Sequence, residues 1–261
     1  MSFGLGRDRT LVPGEVGLTR ADLPPLPDDL AANPAAARLD PRGWFPDPTR
    51  PLEIEIGSGK GTFLIQHAAA HPQTNFLGFE WAREFWLYAC DRIRRRGLSN
   101  IRLLNGDATE FLHWRCPDGV ATVIHLYFSD PWPKTRHHRR RVLQDRFLAD
   151  AHRILVPGGE LRIVTDHDEY WEWMREHFAR WAGPRSDAGP MSDVGCGMSD
   201  GQDSAPSLTS DIRHPTSDIP FQLLPFQPPA SAPAGELVGT NFERKYAREG
   251  RPFHAAILRR P

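Results

Sequence analysis

Short runs rich in β-branched, aromatic and leucine residues alternate with longer helical stretches between Leu52 and Trp181. Such alternation is typical of parallel sheets whose strands are joined by covering helices. The predicted strands are 52–56, 75–80, 101–105, 122–128 and 160–165, and the predicted helices are 61–70, 82–96, 108–113, 141–154 and 168–181. The sequence therefore predicts a doubly wound α/β domain, in which ligands bind beyond the carboxyl ends of the strands.

Two segments do not follow this alternation. Residues 1–50 are rich in proline, aspartate and alanine, and we expect an extended N-terminal arm. Within the domain of residues 51–261, the Gly-, Ser-, Asp- and Pro-rich stretch 183–236 predicts a flexible low-complexity insertion. The β-like runs TNFERKY and PFHAAIL follow, and they predict an antiparallel hairpin at the edge of the sheet.

The composition is that of a globular protein, with 39% hydrophobic and 25% charged residues. No apolar run approaches the roughly 20 residues that span a bilayer, and the N-terminus has no secretory pattern. We therefore expect a cytoplasmic protein without a membrane partner. The three cysteines lie far apart, which argues against a disulfide framework and a CxxC metal site. We therefore expect no metal site, and no structural zinc.

A glycine-rich turn follows the first predicted strand, with Gly57, Gly59 and Gly61 in the segment LEIEIGSGKG. Glycines at this position allow a ligand to approach the backbone closely. The spacing lacks the later glycine of the dinucleotide fingerprint and the Lys-Ser or Lys-Thr pair of a phosphate loop. A tight turn without any ligand also fits these glycines.

Acidic residues at three successive strand ends favour a ligand. Glu80 is placed to accept ribose hydroxyls, Asp107 an adenine amine, and Glu55 to face an amino-acid group. Isolated acids at strand ends are usually only solvated, but three beside a glycine turn fit a nucleoside that carries an amino acid. S-adenosylmethionine is such a molecule and contains no phosphate, so the pattern favours it over NAD.

Asp130 and Trp132 each precede a proline in the segment FSDPWPKTRHHRRR, after the fourth predicted strand. Proline pushes the residue before it out of helical geometry, so we expect both residues in an extended, rigid turn. A carboxylate and an indole can hold a base by its edge and its face. In isolation, DPWP also fits a surface turn with a packed tryptophan.

The Asp130 carboxylate suits guanine. An ionised carboxylate only accepts hydrogen bonds, and the Watson–Crick edge of guanine offers two adjacent donors, N1–H and the 2-amino group. Guanine held by that edge points N7 away, toward a methyl donor. N7 has a lone pair in the ring plane, so the transfer needs no strong base, and the rate should come mainly from alignment.

A basic run follows this turn. It consists of Lys134, Arg136, His137, His138, Arg139, Arg140 and Arg141. Such runs are often only solvated surface, but beside a base pocket they supply the phosphate contacts that dominate nucleic-acid affinity. Asp166 ends the fifth predicted strand, and Thr240, Asn241, Phe242 and Glu243 open a segment that can return over the same strand ends.

Together, EIGSGKG, GFE, NGDA, FSDPWPKTRHHRRR, TDHDEY and TNFER resemble the bacterial tRNA (guanine-N7-)-methyltransferases. The resemblance covers about residues 52–181 and 238–258. It implies a Rossmann-like class I methyltransferase fold, S-adenosyl-L-methionine as cofactor, and methylation of guanine 46 in the variable loop of tRNA.

The resemblance also implies residue roles. Cofactor positions are Glu55, Gly57, Gly59, Glu80, Asp107 and Asp130, and Asp130 is also the implied catalytic residue. Substrate positions are Lys134, Arg136, His137, Arg139, Arg140, Arg141, Asp166, Thr240, Asn241, Phe242 and Glu243. Two residues depart from the family pattern: Asn241 stands where lysine is usual, and Ser129 replaces a frequent proline.

Two other functions stay open at this point. One is a methyltransferase that acts on another RNA or on an exocyclic amine through a DPPY-like turn, although here Trp132 lies between the prolines and Lys134 follows them. The other is an RNA-binding protein without catalytic activity, although such a protein would not need a nucleoside pocket. The sequence does not fix the oligomeric state, for which we expect a monomer or a weak homodimer.

Overall fold

The computed structural model describes residues 10–30, 32–182 and 221–261. The strands are β1 Gly17–Thr19, β2 Leu52–Ile56, β3 Asn75–Glu80, β4 Ile101–Asn105, β5 Ala121–Tyr127, β6 Leu155–Thr165, β7 Gln222–Leu224 and β8 His254–Arg259. The α-helices are α1 Thr62–Ala70, α2 Arg83–Arg95, α3 Ala108–Trp114, α4 Asp145–Ile154, α5 Asp168–Trp181 and α6 Asn241–Arg248. None of these helices is both long and apolar enough to cross a bilayer.

All eight strands form one sheet in the order β1-β4-β3-β2-β5-β6-β8-β7. The strands from β1 to β6 pair in parallel, whereas β8 is antiparallel to both β6 and β7. The chain leaves β2 toward β3 on one side, and β5 lies on the other side of β2. A crevice opens where the strand order reverses in this way. This arrangement confirms the predicted mostly parallel, Rossmann-like sheet.

Alternation along β2 divides the sheet into two chemically different faces. Leu52, Ile54 and Ile56 belong to the large core that also contains residues of α3, α4 and α5. A second core packs α1 and α2 on the opposite face. Since successive side chains of a strand point to opposite faces, Glu53 and Glu55 lie on the α1 side. The acidic side chains of β2 therefore lie on the face of the sheet that is covered by helix α1.

The C-terminal edge differs from its prediction in one part. The antiparallel pairing there is confirmed, but the assignment of TNFERKY to a strand was wrong. Asn241–Arg248 is helix α6, and the Thr240 side chain caps its N-terminus by accepting a bond from the Glu243 backbone N–H. The partner of β8 is β7, which lies in the predicted flexible insertion. Residues 183–220 of that insertion lie outside the described residues.

The segment before β2 is also more structured than an extended arm. In its described part, β1 pairs in parallel with β4, and Val16 is buried against the core formed by α2. Four short 3-10 helices complete the described part of this segment. Prolines interrupt this segment throughout, so a three-residue edge strand leaves no recognisable period in the sequence.

Candidate active site

Gly57 and Gly59 shape the turn between β2 and α1. Both have positive φ angles, 79° and 52°, which residues with a side chain adopt rarely. The backbone N–H groups of Gly57 and Ser58 donate to the Phe79 carbonyl oxygen, each at 2.9 Å, and thereby fix the turn against β3. A Cβ on Gly57 would meet no described atom within 4 Å. The backbone of this turn therefore borders open space that a ligand can occupy.

Glu55 is the second-last residue of β2, directly before this turn. Glu55 is 4% exposed, and its Oε2 atom has no hydrogen-bond partner among the described residues. The pKa of Glu55 is raised to about 8, mainly by burial and in smaller part by the neighbouring negative charge of Glu80. A buried carboxyl with an unpartnered oxygen is costly unless something binds it. Glu55 is therefore the described acid best prepared to receive a cationic group.

Glu80 connects the turn to the next strand end. Its Oε2 atom accepts a hydrogen bond from the Gly59 backbone N–H at 2.7 Å, and its Oε1 atom accepts one from the Ala82 N–H at 2.8 Å. Burial raises the pKa of Glu80, and the Asp130 carboxylate adds to this increase. Glu80 therefore lies near both Glu55 and Asp130.

Asp107 follows β4, one strand further toward the edge. It is exposed and caps helix α3, since its Oδ1 atom accepts hydrogen bonds from the backbone N–H groups of Thr109 and Glu110 at 2.8 and 3.3 Å. The Thr109 hydroxyl donates to the same oxygen. All three bonds are made to Oδ1, so the cap leaves Oδ2 available to a ligand.

The turn after β5 differs from the predicted extended conformation. Trp132 has a φ of 43° and Phe128 a φ of 53°, both in the left-handed region that favours glycine. The expectation that Trp132 is extended was therefore wrong. Residues in this region cost about 1–3 kcal/mol and persist only where their surroundings hold them. Asp130 lies between these two positions and is exposed to solvent.

Arg141 stabilises this strained turn from the protein interior. Its Nε atom donates to the Pro131 carbonyl oxygen at 2.7 Å, and its Nη2 atom donates to Glu169 at 2.8 Å. Its guanidinium also lies over the rings of Tyr170 and Trp173, each 5.1 Å from the ring centroid. Arg141 is 2% exposed. Its predicted contact with RNA is wrong, because a buried guanidinium cannot reach phosphate.

The remaining basic run forms an exposed 3-10 helix over Thr135–Arg140. The solvent-exposed cations of this run are Lys134, Arg136, Arg139 and Arg140, and His137 is half-buried. The Arg140 guanidinium lies 5.0 Å from the Trp132 ring centroid, and the His137 ring meets the same indole edge-on. Helix α4 begins only at Asp145, because Arg141 has an extended backbone (ψ 134°). Positive charge is thus concentrated beside Asp130.

Asp166 follows β6 and already has a partner. Its carboxylate accepts a hydrogen bond from Arg251 at 2.7 Å, and the Arg251 guanidinium lies 4.3 Å from the Tyr246 ring centroid. Burial raises the pKa of Tyr246, and the carboxylates of Asp166 and Asp130 contribute to the increase. Tyr246 on α6 therefore lies near both acids. The C-terminal helix reaches the end of the sheet at which Asp130 is found.

The four residues Thr240 to Glu243 divide into two groups. Phe242 is 48% exposed and lies 3.8 Å from the Cβ position of Gly59, while the Asn241 side-chain amide donates to the Thr62 hydroxyl at 3.0 Å. Both contacts bring α6 onto the glycine turn. Thr240 and Glu243, in contrast, are buried.

The Glu243 side chain bonds to the backbone of the loop before α6. Its carboxylate accepts hydrogen bonds from the N–H groups of Leu237, Val238 and Gly239. The last two bonds measure 3.0 and 2.8 Å. These bonds turn its carboxylate toward the preceding loop, which favours a structural role over the predicted contact with substrate. Glu243 instead fixes the loop that leads into α6.

We expect the substitution Glu243→Ala to lower the free energy of unfolding by about 2–4 kcal/mol, because it leaves three backbone donors without their acceptor. Urea unfolding followed by circular dichroism measures this loss. Glu172→Ala is the control, since Glu172 forms only an exposed pair with Arg175 and should change stability by less than about 0.5 kcal/mol. Equal effects of the two substitutions would contradict the role given to Glu243.

Comparisons with known proteins identify the family of the chain. A family model described as "Putative methyltransferase" matches residues 49–183, more than half of the chain. A tRNA (guanine-N(7)-)-methyltransferase from Nitrobacter hamburgensis is 39% identical over 181 residues, which are 69% of this chain and 69% of that protein. The chain belongs to this family.

Two further family members give the same result. The tRNA (guanine-N(7)-)-methyltransferase from Agrobacterium fabrum is 36% identical over 69% of this chain and 76% of its own length. The one from Rhodospirillum rubrum is 42% identical over 59% of this chain and 60% of its own length. The expected tRNA (guanine-N7-)-methyltransferase family is thus confirmed.

In this member of the tRNA (guanine-N7-)-methyltransferase family, two exposed features of the cleft were missing from the prediction. Trp81 follows Glu80 and is 73% exposed, and Arg251 pairs with Asp166. The signal for Trp81 was present in the sequence, as a large aromatic residue directly after a strand-end acid. Arg251 had no such signal, because its contact spans 85 positions of the chain.

Proposed function

We propose that this protein transfers a methyl group from S-adenosyl-L-methionine to N7 of a guanine in tRNA, at position 46 of the variable loop. The observation that carries the proposal is the position of Asp130. Its exposed carboxylate lies at the carboxyl end of β5, influences Glu80, and is next to a surface rich in arginine. Family membership supports the same activity.

The cofactor side of the cleft fits the proposed methyl donor. Open space lies over Gly57, and the unpartnered Glu55 oxygen suits the ammonium group of an amino acid. Glu80 would accept the ribose hydroxyls, and Asp107 the adenine amine through Oδ2. When bound, S-adenosylmethionine supplies a methyl group that its sulfonium has already activated. The protein therefore has to hold, orient and dehydrate the reactants.

Asp130 would select guanine by its hydrogen-bonding edge. The carboxylate accepts from N1–H and from the 2-amino group, whereas adenine would place its unprotonated N1 against the carboxylate. That mismatch costs about 1–3 kcal/mol, because it leaves an acceptor facing an acceptor. Guanine held in this way has N7 directed away from Asp130. Alignment of N7 with the methyl group is then the main contribution of the protein to the rate.

The exposed cations Lys134, Arg136, Arg139 and Arg140 would hold the phosphates on either side of the target base. Among them, the Arg140 guanidinium lies over the Trp132 indole. Buried Arg141 keeps the Asp130 turn in shape while its neighbours contact RNA. The basic run therefore combines a structural residue with binding residues. We further propose that the enzyme acts in the cytoplasm, where its substrate is found.

The product identifies the reaction. Purified protein is incubated with unmodified tRNA transcript and labelled S-adenosylmethionine, and the digested nucleosides are separated by mass spectrometry. We expect the label in 7-methylguanosine, and a transcript with guanine 46 replaced by adenine should accept no label. Label in an N2- or N6-methylated nucleoside would support the exocyclic-amine alternative. Absence of label, together with absence of cofactor binding in calorimetry, would support a non-catalytic RNA-binding protein.

The substitution Glu55→Gln tests the cofactor side alone. We expect it to weaken S-adenosylmethionine binding about tenfold or more, because a hydrogen bond to a charged group contributes about 1.5–3 kcal/mol. Isothermal titration calorimetry in the absence of tRNA measures the affinity. Glu84→Gln is the matched control, since Glu84 lies exposed in the first turn of α2. Unchanged affinity of the Glu55 variant would exclude this residue from the cofactor site.

A further inference from the structure

Glu53, His67 and His125 form a buried polar cluster beneath α1, apart from the proposed methyl-transfer cleft. Glu53 belongs to β2, His125 to β5 and His67 to α1. Both histidines are buried, at 5% and 1% exposure, and the Glu53 side chain is 14% exposed. The proposed transfer reaction uses none of these three residues. Their donor atoms lie within 4.8 Å of one another.

The two histidines converge on a single carboxylate oxygen. The Nε2 atom of His125 lies 2.7 Å from Glu53 Oε2, and the Nε2 atom of His67 lies 3.1 Å from the same oxygen. Ligands of a tetrahedral zinc ion lie about 3.3 Å apart, because zinc bonds to nitrogen and oxygen are about 2.0–2.2 Å long. To admit an ion in place of the bridging protons, the two separations from Glu53 Oε2 would have to open by about 0.2–0.6 Å.

The outer nitrogens of both histidines also have suitable partners. His67 Nδ1 lies 2.6 Å from the Ser231 hydroxyl, and His125 Nδ1 lies 2.8 Å from the Tyr127 hydroxyl. Histidines that bind a metal through one nitrogen almost always donate the other N–H to an oxygen, which fixes the tautomer and the ring orientation. Either hydroxyl can accept such a bond. The cluster therefore presents both the ligands and their orienting partners.

We propose that Glu53, His67 and His125 bind a divalent transition-metal ion of the zinc class. Two imidazoles and one carboxylate are a ligand set that zinc accepts, and imidazole suits zinc, copper and nickel better than magnesium or calcium. A water molecule completes the tetrahedron from the partly exposed side of Glu53. This proposal departs from the expectation of no metal, which rested on the spacing of the cysteines and did not consider histidines brought together by the fold.

The ion would connect the strands and the helix on either side of the glycine turn. It joins β2 two residues before Glu55, β5 two residues before Tyr127, and α1 directly after the glycine turn. Ser231 ties the segment before α6 to the same point through His67. The site is therefore structural, and its loss should change stability before it changes methyl transfer.

Cobalt and zinc ions are the probes for this site. The full chain, freed of any polyhistidine tag and dialysed against a chelator, is titrated with Co²⁺, whose visible absorption reports tetrahedral nitrogen and oxygen ligands. We expect saturable uptake of one Co²⁺ per chain, displacement by Zn²⁺, and a higher Tm of the zinc-loaded protein. The substitutions His67→Gln and His125→Gln should abolish the uptake, and Tyr127→Phe should weaken it about 10–100-fold.

His113→Gln is the matched control, because His113 also contacts a carboxylate, Asp150, at 2.8 Å but has no second histidine there. It should leave the cobalt spectrum unchanged. Absence of one-to-one uptake by the folded wild-type protein would overturn the proposal and leave a hydrogen-bonded network. Equal loss of uptake in the His113 variant would also overturn it. Metal uptake is measured without tRNA, so this result is independent of the proposed methyl transfer.

Discussion

The substitution Asp130→Ala is expected to lower the rate of methyl transfer at least 100-fold, while tRNA affinity changes less than about threefold. Loss of one preorganised group at the reacting centre commonly costs a factor of about 10²–10³. The carboxylate is exposed and makes no contribution to the core, so the fold should persist. Asp130→Asn should show a similar loss, because its amide presents a donor to one of the two guanine donors.

Single-turnover kinetics with saturating enzyme separate this effect from binding. Asp118→Ala is the control, since Asp118 is an exposed acid that precedes β5, whereas Asp130 follows it. It should retain the wild-type rate. If the Asp130 variants transferred methyl groups at the wild-type rate, positioning of guanine by this carboxylate would be excluded. If they lost tRNA binding in equal measure, Asp130 would be an anchoring residue for RNA.

The combined substitution of Arg139 and Arg140 by alanine is expected to weaken tRNA binding on the order of tenfold at low salt, with a smaller difference at high salt. Each lost phosphate contact lowers the slope of log K against log salt by about 0.7–0.9, so two contacts should lower it by about 1.5–2. Filter binding over a series of salt concentrations measures the slope. Cofactor affinity should not change.

Arg175 and Arg180 provide the matched control, because both are exposed arginines on α5 that pair with acidic residues. Their double alanine variant should keep the wild-type slope. Arg139→Ala alone should lower the slope by about half as much, which separates phosphate binding from the contact of Arg140 with Trp132. An unchanged slope in the Arg139 and Arg140 double variant would show that this surface does not contact the tRNA backbone.

The sequence predicted the central part of the fold for a physical reason. β2 to β5 are short runs of buried residues joined by amphipathic helices, and local periodicity is enough to place them. Because parallel strands end at one edge of the sheet, the positions of Glu55, Glu80 and Asp130 followed once the strands were placed. All three acids lie at or just beyond the carboxyl ends of their strands, and their roles in binding stay a prediction.

Where long-range contacts decide, the sequence alone was insufficient. Arg141 looks like any other arginine in the basic run, but the Pro131 carbonyl and Glu169 bind it in the interior. Similarly, TNFERKY contains β-prone residues, yet the Thr240 cap and the buried Glu243 carboxylate start a helix there. At Arg141 a tertiary partner overrode the local pattern. At α6 the deciding bonds are local, and Thr240 followed three residues later by Glu243 is a helix-start signal that the sequence contained.

The cluster of Glu53, His67 and His125 could not be predicted from the sequence either. Its members are separated by 14 and 58 positions and follow no metal-binding spacing. Only the register of β2 against β5, with α1 packed above, brings them together. The backbone of Trp132 was equally unpredictable, because proline restricts the preceding residue toward extended conformations, and only the contacts of the folded turn hold it elsewhere.

The central claim is that Asp130 holds the Watson–Crick edge of guanine 46 so that N7 meets the methyl donor. Its most direct test is a tRNA in which guanine 46 is replaced by 7-deazaguanine, which keeps that edge but carries C–H in place of N7. We expect this tRNA to compete with normal tRNA at similar affinity and to accept no methyl group. Methyl transfer to the 7-deazaguanine tRNA at the normal rate would contradict N7 of guanine 46 as the methylated atom.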